Sequence, residues 1–390
     1  MKSLRIIIVM IEPPLPFGNA ASRWFYVLLK GLVERGHDVT AFAACSKPEE
    51  IEKAKVTFPA PRYDLRCFPF PQDSGLASKI NTLIRPYSNF FNDELYQSLD
   101  RELAKPFDIL HLEQMWTGWL GLQHSKKAIL NVHHLVWIDL KFTKPSAIRS
   151  RIEQKMMFST EERLLKSYKH IRSCSPRLSH EIIKVNPSSL ISDIPVGIDT
   201  SLYEFIPDSK RTIIPTVTLI GTMSWYPGYS AAVRLLTKLW DSIKAQVPNA
   251  KLQIIGWNAR TALAEFLDLP DIEIKENVPD TKPYFESTSV FLYAPSRGSG
   301  MKIKILEAFA FGIPVVTTSE GVEGLAAEDG IHAGIADDDV GLIDRTVRLL
   351  KDPVKQNNQR KAGRDLVEQQ CSPQVTLSLL EQAYKIILDN

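Results

Sequence analysis

The sequence predicts an α/β protein of two Rossmann-like, doubly wound domains. Three observations carry this. Short apolar runs alternate with stretches of helical spacing in both halves of the chain. A segment rich in Pro, Ser, Asp and Gly separates the halves. The 390 residues suffice for two sizeable cores. The expected boundaries are a first domain at 1–190, a connector at 191–215 and a second domain at 216–372.

Arg5–Met10 is a continuous apolar run, as expected of a strand buried on both faces of a parallel sheet. Pro13, Pro14 and Pro16 make a turn, and Gly18 to Ser22 lead into a helix. Trp24, Val27, Leu28 and Leu32 give that helix its apolar face, and Gly36 ends it. A strand at 39–42 completes a βαβ unit, and strand signals return at 108–112 and Ala128–Val132. In the second half they recur at Thr216–Ile220, 251–255, 272–274, Val290–Tyr293 and 314–317. After Pro373, residues Val375, Leu379, Leu380, Ala383, Ile386 and Ile387 form one face of an amphipathic helix.

A 44% hydrophobic and 24% charged composition excludes disordered, collagen-like and coiled-coil proteins. The net charge of +2 hides an asymmetry: 27 basic against 19 acidic residues up to 190, and 20 against 26 beyond. Lys141, Lys144, Arg149, Arg151 and Lys155 interleave with Ile148, Ile152, Met156 and Met157. That pattern suits either an interfacial helix on anionic lipid or a helix packing its stripe into the core. No apolar run reaches the ~18–20 residues of a membrane span, and the first strand carries Arg5 and does not read as a signal peptide. The four cysteines are scattered without metal spacing, so a reduced, cytoplasmic protein is expected. No nucleic-acid recognition motif is present, and no nucleic-acid partner is expected.

Open α/β sheets bind ligands at the carboxyl ends of their strands. The richest such loop runs from Tyr293 to Glu307. Gly298 and Gly300 permit a tight turn, and a helix is expected from about Met301, its free N–H groups forming an anion site. Arg297, Lys302 and Lys304 add the positive charge that a diphosphate needs without a metal. Glu307, two turns into the helix, suits a pair of ribose hydroxyls. Spacing alone is equally compatible with a surface helix start and solvated lysines. Gly18 and Asn19 could let backbone approach phosphates or acceptor, or form an ordinary βα turn. His133 and His134 follow a buried strand, and His111 ends the strand before it. Asp337 to Asp339 lie in a polar loop, and no metal site is expected there.

The run from Pro295 to Ser319, continued by Glu320 to Gly324, resembles the donor-binding signature of family-4 glycosyltransferases, which have the GT-B fold. Ile194 to Asp199 is similar to the family's interdomain turn, and Gly221 to Pro227 to the first loop of its donor domain. Pro248 to Gly256 resembles the next strand and turn, and Val278 to Asp280 with Pro283 and Tyr284 the nucleobase edge.

The resemblance implies two domains facing a cleft, with the helix at 373–390 crossing back to the first. It implies a retaining, metal-independent hexosyltransferase that needs no cofactor. A UDP-sugar, glucose-like in its hexose, is the expected donor, with a GDP-sugar second. The expected acceptor is a saccharide or lipid-linked saccharide in polysaccharide biosynthesis, reached by peripheral contact with the inner face of the plasma membrane. By the same resemblance, Lys304 with Arg297 or Lys302 neutralises the leaving diphosphate, and Glu307 holds the ribose. Gly221, Met223, Ser299, Gly300 and Met301 line the donor, Val278 sits by the base, and His133 contacts the transferred sugar. The sequence departs from the family at Ser299, where a Glu is usual, and at Val196, where Asn is usual. Two rivals remain: a sugar-nucleotide epimerase of the same fold, and a catalytically silent sugar-nucleotide binder.

Overall fold

The computed structural model describes residues 2–71, 85–86, 88–141, 145 and 147–390. Lys144, part of the basic stretch, lies outside them. The chain divides into two compact units, Met1–Ile198 with Pro373–Asn390, and Asp199–Ser372.

The first unit is a seven-stranded parallel sheet ordered β3-β2-β1-β4-β5-β6-β7. Its strands are β1 (Arg5–Met10), β2 (Asp38–Cys45), β3 (Asp64–Pro69), β4 (Ile109–Leu112), β5 (Ala128–Val132), β6 (His170–Ser173) and β7 (Leu190–Asp193). β1 is buried almost throughout because helices cover both faces of such a sheet. The helix Ala20–Glu34 is capped by Asn19, whose side chain accepts from the Ser22 N–H at 3.0 Å. It buries Trp24, Phe25, Leu28 and Leu32, and Gly36 beyond it takes φ +87°, a left-handed value that glycine adopts without strain.

The helix Pro373–Leu388 belongs to this first unit. It packs on the helix Ala20–Glu34 so closely that a Cβ on Gly31 would stand 2.1 Å from Leu377 Cδ1. A Cβ on Gly197 would likewise lie 2.6 Å from Thr376 Oγ1. At the rim Glu381 accepts from Arg35 at 2.8 Å and lies 3.0 Å from His37 Nε2.

The second unit is a six-stranded parallel sheet ordered β10-β9-β8-β11-β12-β13. Its strands are β8 (Thr216–Ile220), β9 (Lys251–Gly256), β10 (Ile272–Glu276), β11 (Val290–Tyr293), β12 (Val315–Thr317) and β13 (Gly334–Ile335).

Two expectations are corrected. The connector expected at 191–215 begins inside β7, where Leu190 donates to the Lys169 carbonyl at 2.6 Å. Its Ser and Asp face solvent at a sheet edge, which is why they read as a linker. The helix after the glycine-rich loop starts at Ile303, because Lys302 is still extended. The basic helix, Ile148–Ser167, buries only Thr160, Glu161, Leu164 and Leu165 in its second half, and leaves Ile148 and Ile152 exposed. No helix among the described residues is long and apolar enough to cross a membrane.

Candidate functional site

In the second unit β8 is the first strand, with β9 on one side and β11 on the other. The strand order turns there, and the carboxyl ends of β8 and β11 open the crevice where doubly wound sheets take ligands. Gly221 follows β8 and donates to the Ile255 carbonyl at 2.9 Å. Gly256, ending β9, comes so near that a Cβ on it would lie 1.6 Å from the Gly221 carbonyl oxygen. Met223 is buried and donates to the Trp257 carbonyl at 2.9 Å, which fixes the loop.

Lys304 reaches this point from the first turn of the helix Ile303–Ala310. Its Nζ lies 4.2 Å from the centre of the Tyr293 ring, and a Cβ on Gly221 would stand 2.7 Å from it. Burial, reinforced by the Lys302 charge and opposed by Glu307, pushes the Lys304 ammonium down to about 8. A poorly solvated cation beside the start of a helix is an arrangement able to hold an anion.

Lys302 points elsewhere than expected. Its ammonium donates to the Ser299 carbonyl at 3.3 Å and to the Gly300 carbonyl, and stands 4.0 Å from Glu323. It braces the loop instead of presenting its charge outward. Gly300 has φ +73°, so the turn needs glycine. Ser299 is buried, Arg297 and Met301 are half-buried, and Glu307 is buried one turn beyond Lys304. Val278 is half-buried in the loop after β10, the edge strand, with β9 and β8 between it and β11.

The Asp337–Asp339 run is structural. Asp337 accepts from the Ser319 backbone at 2.9 Å, Asp338 caps Gly341 at 2.8 Å and Asp339 pairs with Arg234 at 2.7 Å. Among the described residues no group of three or more His, Cys, Asp or Glu could hold a metal.

In the first unit the equivalent turn of strand order falls between β1 and β4. Gly18, after β1, is exposed, and a Cβ there would meet only Ser22, at 3.5 Å, so nothing among the described residues demands glycine. Asn19 beside it is committed to the helix cap. Glu12, which the sequence reading missed, has a buried Oε2 with no hydrogen-bond partner among the described residues, and burial pushes its carboxyl up to about 7 despite the Asn19 hydrogen bond.

His133 follows β5 and is joined to a second residue the sequence reading missed. Glu113, just past β4, is fully buried; its Oε2 lies 2.6 Å from His133 Nε2. Its Oε1 lies 2.6 Å from His111 Nε2 and accepts from Trp24 Nε1 at 2.9 Å. His111 Nδ1 lies 2.5 Å from the Tyr384 hydroxyl. Burial alone would raise the Glu113 carboxyl, but His111 and His133 hold it well below the usual range. Arg172 supplies the buried counter-charge, lying 4.5 Å over the Trp24 ring and donating to the Pro195 carbonyl at 2.8 Å. His134, next to His133 in the chain, is half-buried.

Two family patterns account for most of the chain: Glycosyltransferase Family 4 matches residues 21–202 and Glycosyl transferases group 1 matches residues 214–352. The chain belongs to the family-4 glycosyltransferases. An uncharacterised glycosyltransferase of Haemophilus influenzae is 30% identical to it over 117 residues, a match spanning 28% of this chain and 32% of that relative. The glycosyltransferase shares its fold with sucrose-phosphate synthase from Thermosynechococcus elongatus, at TM-score 0.74 and 16% identity, each chain covered to 99%. TarM superposes at TM-score 0.72 and 11% identity over 98% of this chain and 99% of its own. HepE from Anabaena, solved with UDP-glucose, does so at 0.70 and 11% over 99% and 100%. Its two parallel sheets are those of the GT-B fold.

Proposed function

We propose that this glycosyltransferase moves a hexose from a UDP-sugar to a saccharide or lipid-linked saccharide, with retention at the anomeric carbon and without a metal. The observation that carries the reading is Lys304, half-buried at the carboxyl end of β8 and β11 beside the glycine-rich turn. As the anomeric C–O bond to the diphosphate breaks, negative charge grows on the leaving oxygens. Lys304, Arg297 and the N–H groups opening the helix Ile303–Ala310 stabilise it, while Lys302 shapes the loop. The acceptor oxygen bonds to the anomeric carbon from the face the phosphate leaves, and its proton passes to the leaving phosphate. Glu307 takes the ribose hydroxyls, Gly221, Met223, Ser299, Gly300 and Met301 line the donor, and Val278 meets the base. Gly18, Asn19 and His133 belong to the saccharide side. HepE, solved with UDP-glucose, TarM, solved with UDP and a GlcNAc-glycerol, and WaaG, a glycosyltransferase of lipopolysaccharide biosynthesis, support this choice of donor and acceptor.

The test is a panel of UDP-, GDP- and ADP-sugars with a chelator, the anomeric proton followed by NMR. Slow hydrolysis of one UDP-hexose with configuration first kept, lost in Lys304→Ala, is the expected result. Ser299 in place of the family's usual Glu favours a second reading, a silent nucleotide-sugar binder. Binding of UDP with no turnover on any donor or acceptor would establish that one.

A further inference from the structure

The Glu113 cluster joins three elements of the first unit. Glu113 follows β4, His133 follows β5, and Trp24 lies on the helix Ala20–Glu34. An ionised carboxylate only accepts hydrogen bonds. Each imidazole nitrogen 2.6 Å from it, His111 Nε2 and His133 Nε2, therefore carries the proton. On His111 the Tyr384 contact agrees with this, whereas Asn131 Nδ2 is a second donor facing the same Nε2. With its proton on Nε2, His111 presents a bare Nδ1, and the Tyr384 hydroxyl donates to it at 2.5 Å. Asn131 Nδ2, 2.9 Å from His111 Nε2, donates to the Leu112 carbonyl at 3.1 Å. His111 is wholly buried, whereas the His133 side chain keeps 15% of its surface open. Of the two histidines on this carboxylate, only His133 can meet a ligand.

We propose that Glu113 is a positioning residue that holds His133 in the Nε2–H tautomer, so that its Nδ1 lone pair accepts a hydrogen bond from a sugar hydroxyl. His133 then recognises a hydroxyl and does not donate a proton. The tautomer half stands on the cluster alone; the sugar half rests on the proposed transferase reading. For scale, a residue that orients a metal-ligating imidazole is commonly worth roughly tenfold to a hundredfold.

The decisive measurement is long-range ¹H–¹⁵N correlation of the imidazoles in the whole protein at about pH 8, above the ordinary histidine range. His133 is assigned by the peaks that vanish in His133→Gln. A pyrrole-type Nε2 with a pyridine-type Nδ1 is expected; the reverse pattern, or two pyrrole-type nitrogens, would overturn the proposal. In Glu113→Gln the carboxamide N–H₂ competes for the same contacts, so the His133 pattern should become mixed or reversed. Transfer should fall by about tenfold to a hundredfold with UDP affinity unchanged, and the change should cost nothing further in a His133→Gln background. An equal loss in that background would assign Glu113 to the packing of Arg172 and Trp24 and overturn the proposal. The spectrum requires no substrate, so an enzyme without turnover would remove the functional reading and still leave the tautomer to be decided.

Discussion

At the scale of single residues, Lys304 sets the clearest expectation. Its ammonium is lost as pH rises through about 8. A diphosphate binds the charged form, so UDP affinity should be steady below that pH and fall above it. Titration calorimetry between pH 6.5 and 9.5 checks this, and a flat profile would remove Lys304 from the anion site. Lys304→Ala should weaken UDP by roughly 1.5–3 kcal/mol, as expected for hydrogen bonds to a charged group. Two glycines of the candidate loops should behave oppositely. Gly300→Ala places a Cβ at φ +73° and should cost about 1–2 kcal/mol in urea unfolding. Gly18→Ala meets only ordinary contact with Ser22 and should leave the unfolding midpoint within error, so any loss of activity there would be a ligand's.

At the scale of elements, Glu161 ties the helix Ile148–Ser167 to the loop after β5, accepting from Val136 N at 2.7 Å and Trp137 N at 3.0 Å. Burial, with Asp139 adding to it and the two backbone bonds opposing, pushes its carboxyl from 4.5 up to about 8. Between those values the folded protein keeps a proton that the unfolded chain has lost, so this group's contribution to stability declines as pH rises across the window. Urea midpoints at pH 5 and pH 8 should therefore converge in Glu161→Gln. The other end of the same helix exposes Ile148 and Ile152 one turn apart, with Arg149 and Arg151 beside them. Seating that end on anionic lipid predicts sedimentation with phosphatidylglycerol vesicles, abolished by replacing Arg149, Arg151 and Lys155 with Glu. An unchanged bound fraction would end the membrane reading.

What the sequence discloses follows the same division. β1, β5, β8 and β11 have the bounds their apolar runs predict, because strands buried on both faces announce themselves. β6 is interior yet reads His-Ile-Arg-Ser, since its Arg172 finds the Pro195 carbonyl and the Trp24 ring, far away in sequence. β3 and β7 lie at sheet edges, where polar residues are tolerated. The glycine-rich loop and Lys304 were legible because the turn, the charge and the helix start are contiguous. Glu113 was not, because its partners come from residues 24, 111 and 133. Its one local sign was a polar pair, His111 and Glu113, closing an apolar strand. Lys302 and Lys304 look alike in sequence, and only the fold of the loop separates the brace from the lysine proposed to hold the anion.

For the molecule as a whole, the helix Pro373–Leu388 has a consequence for biogenesis. The first unit cannot seat Leu377 on Gly31, nor Tyr384 on His111, until those residues exist. The whole of Asp199–Ser372, 174 residues, is translated in between. At roughly 5–20 residues per second that is a wait of about 9–35 s. The half of the protein made first is thus the half completed last, and its apolar groove around Trp24 and Gly31 is a natural client for a chaperone throughout that interval. Nascent chains arrested before Pro373 should present a protease-sensitive first unit that becomes resistant once the final helix is released.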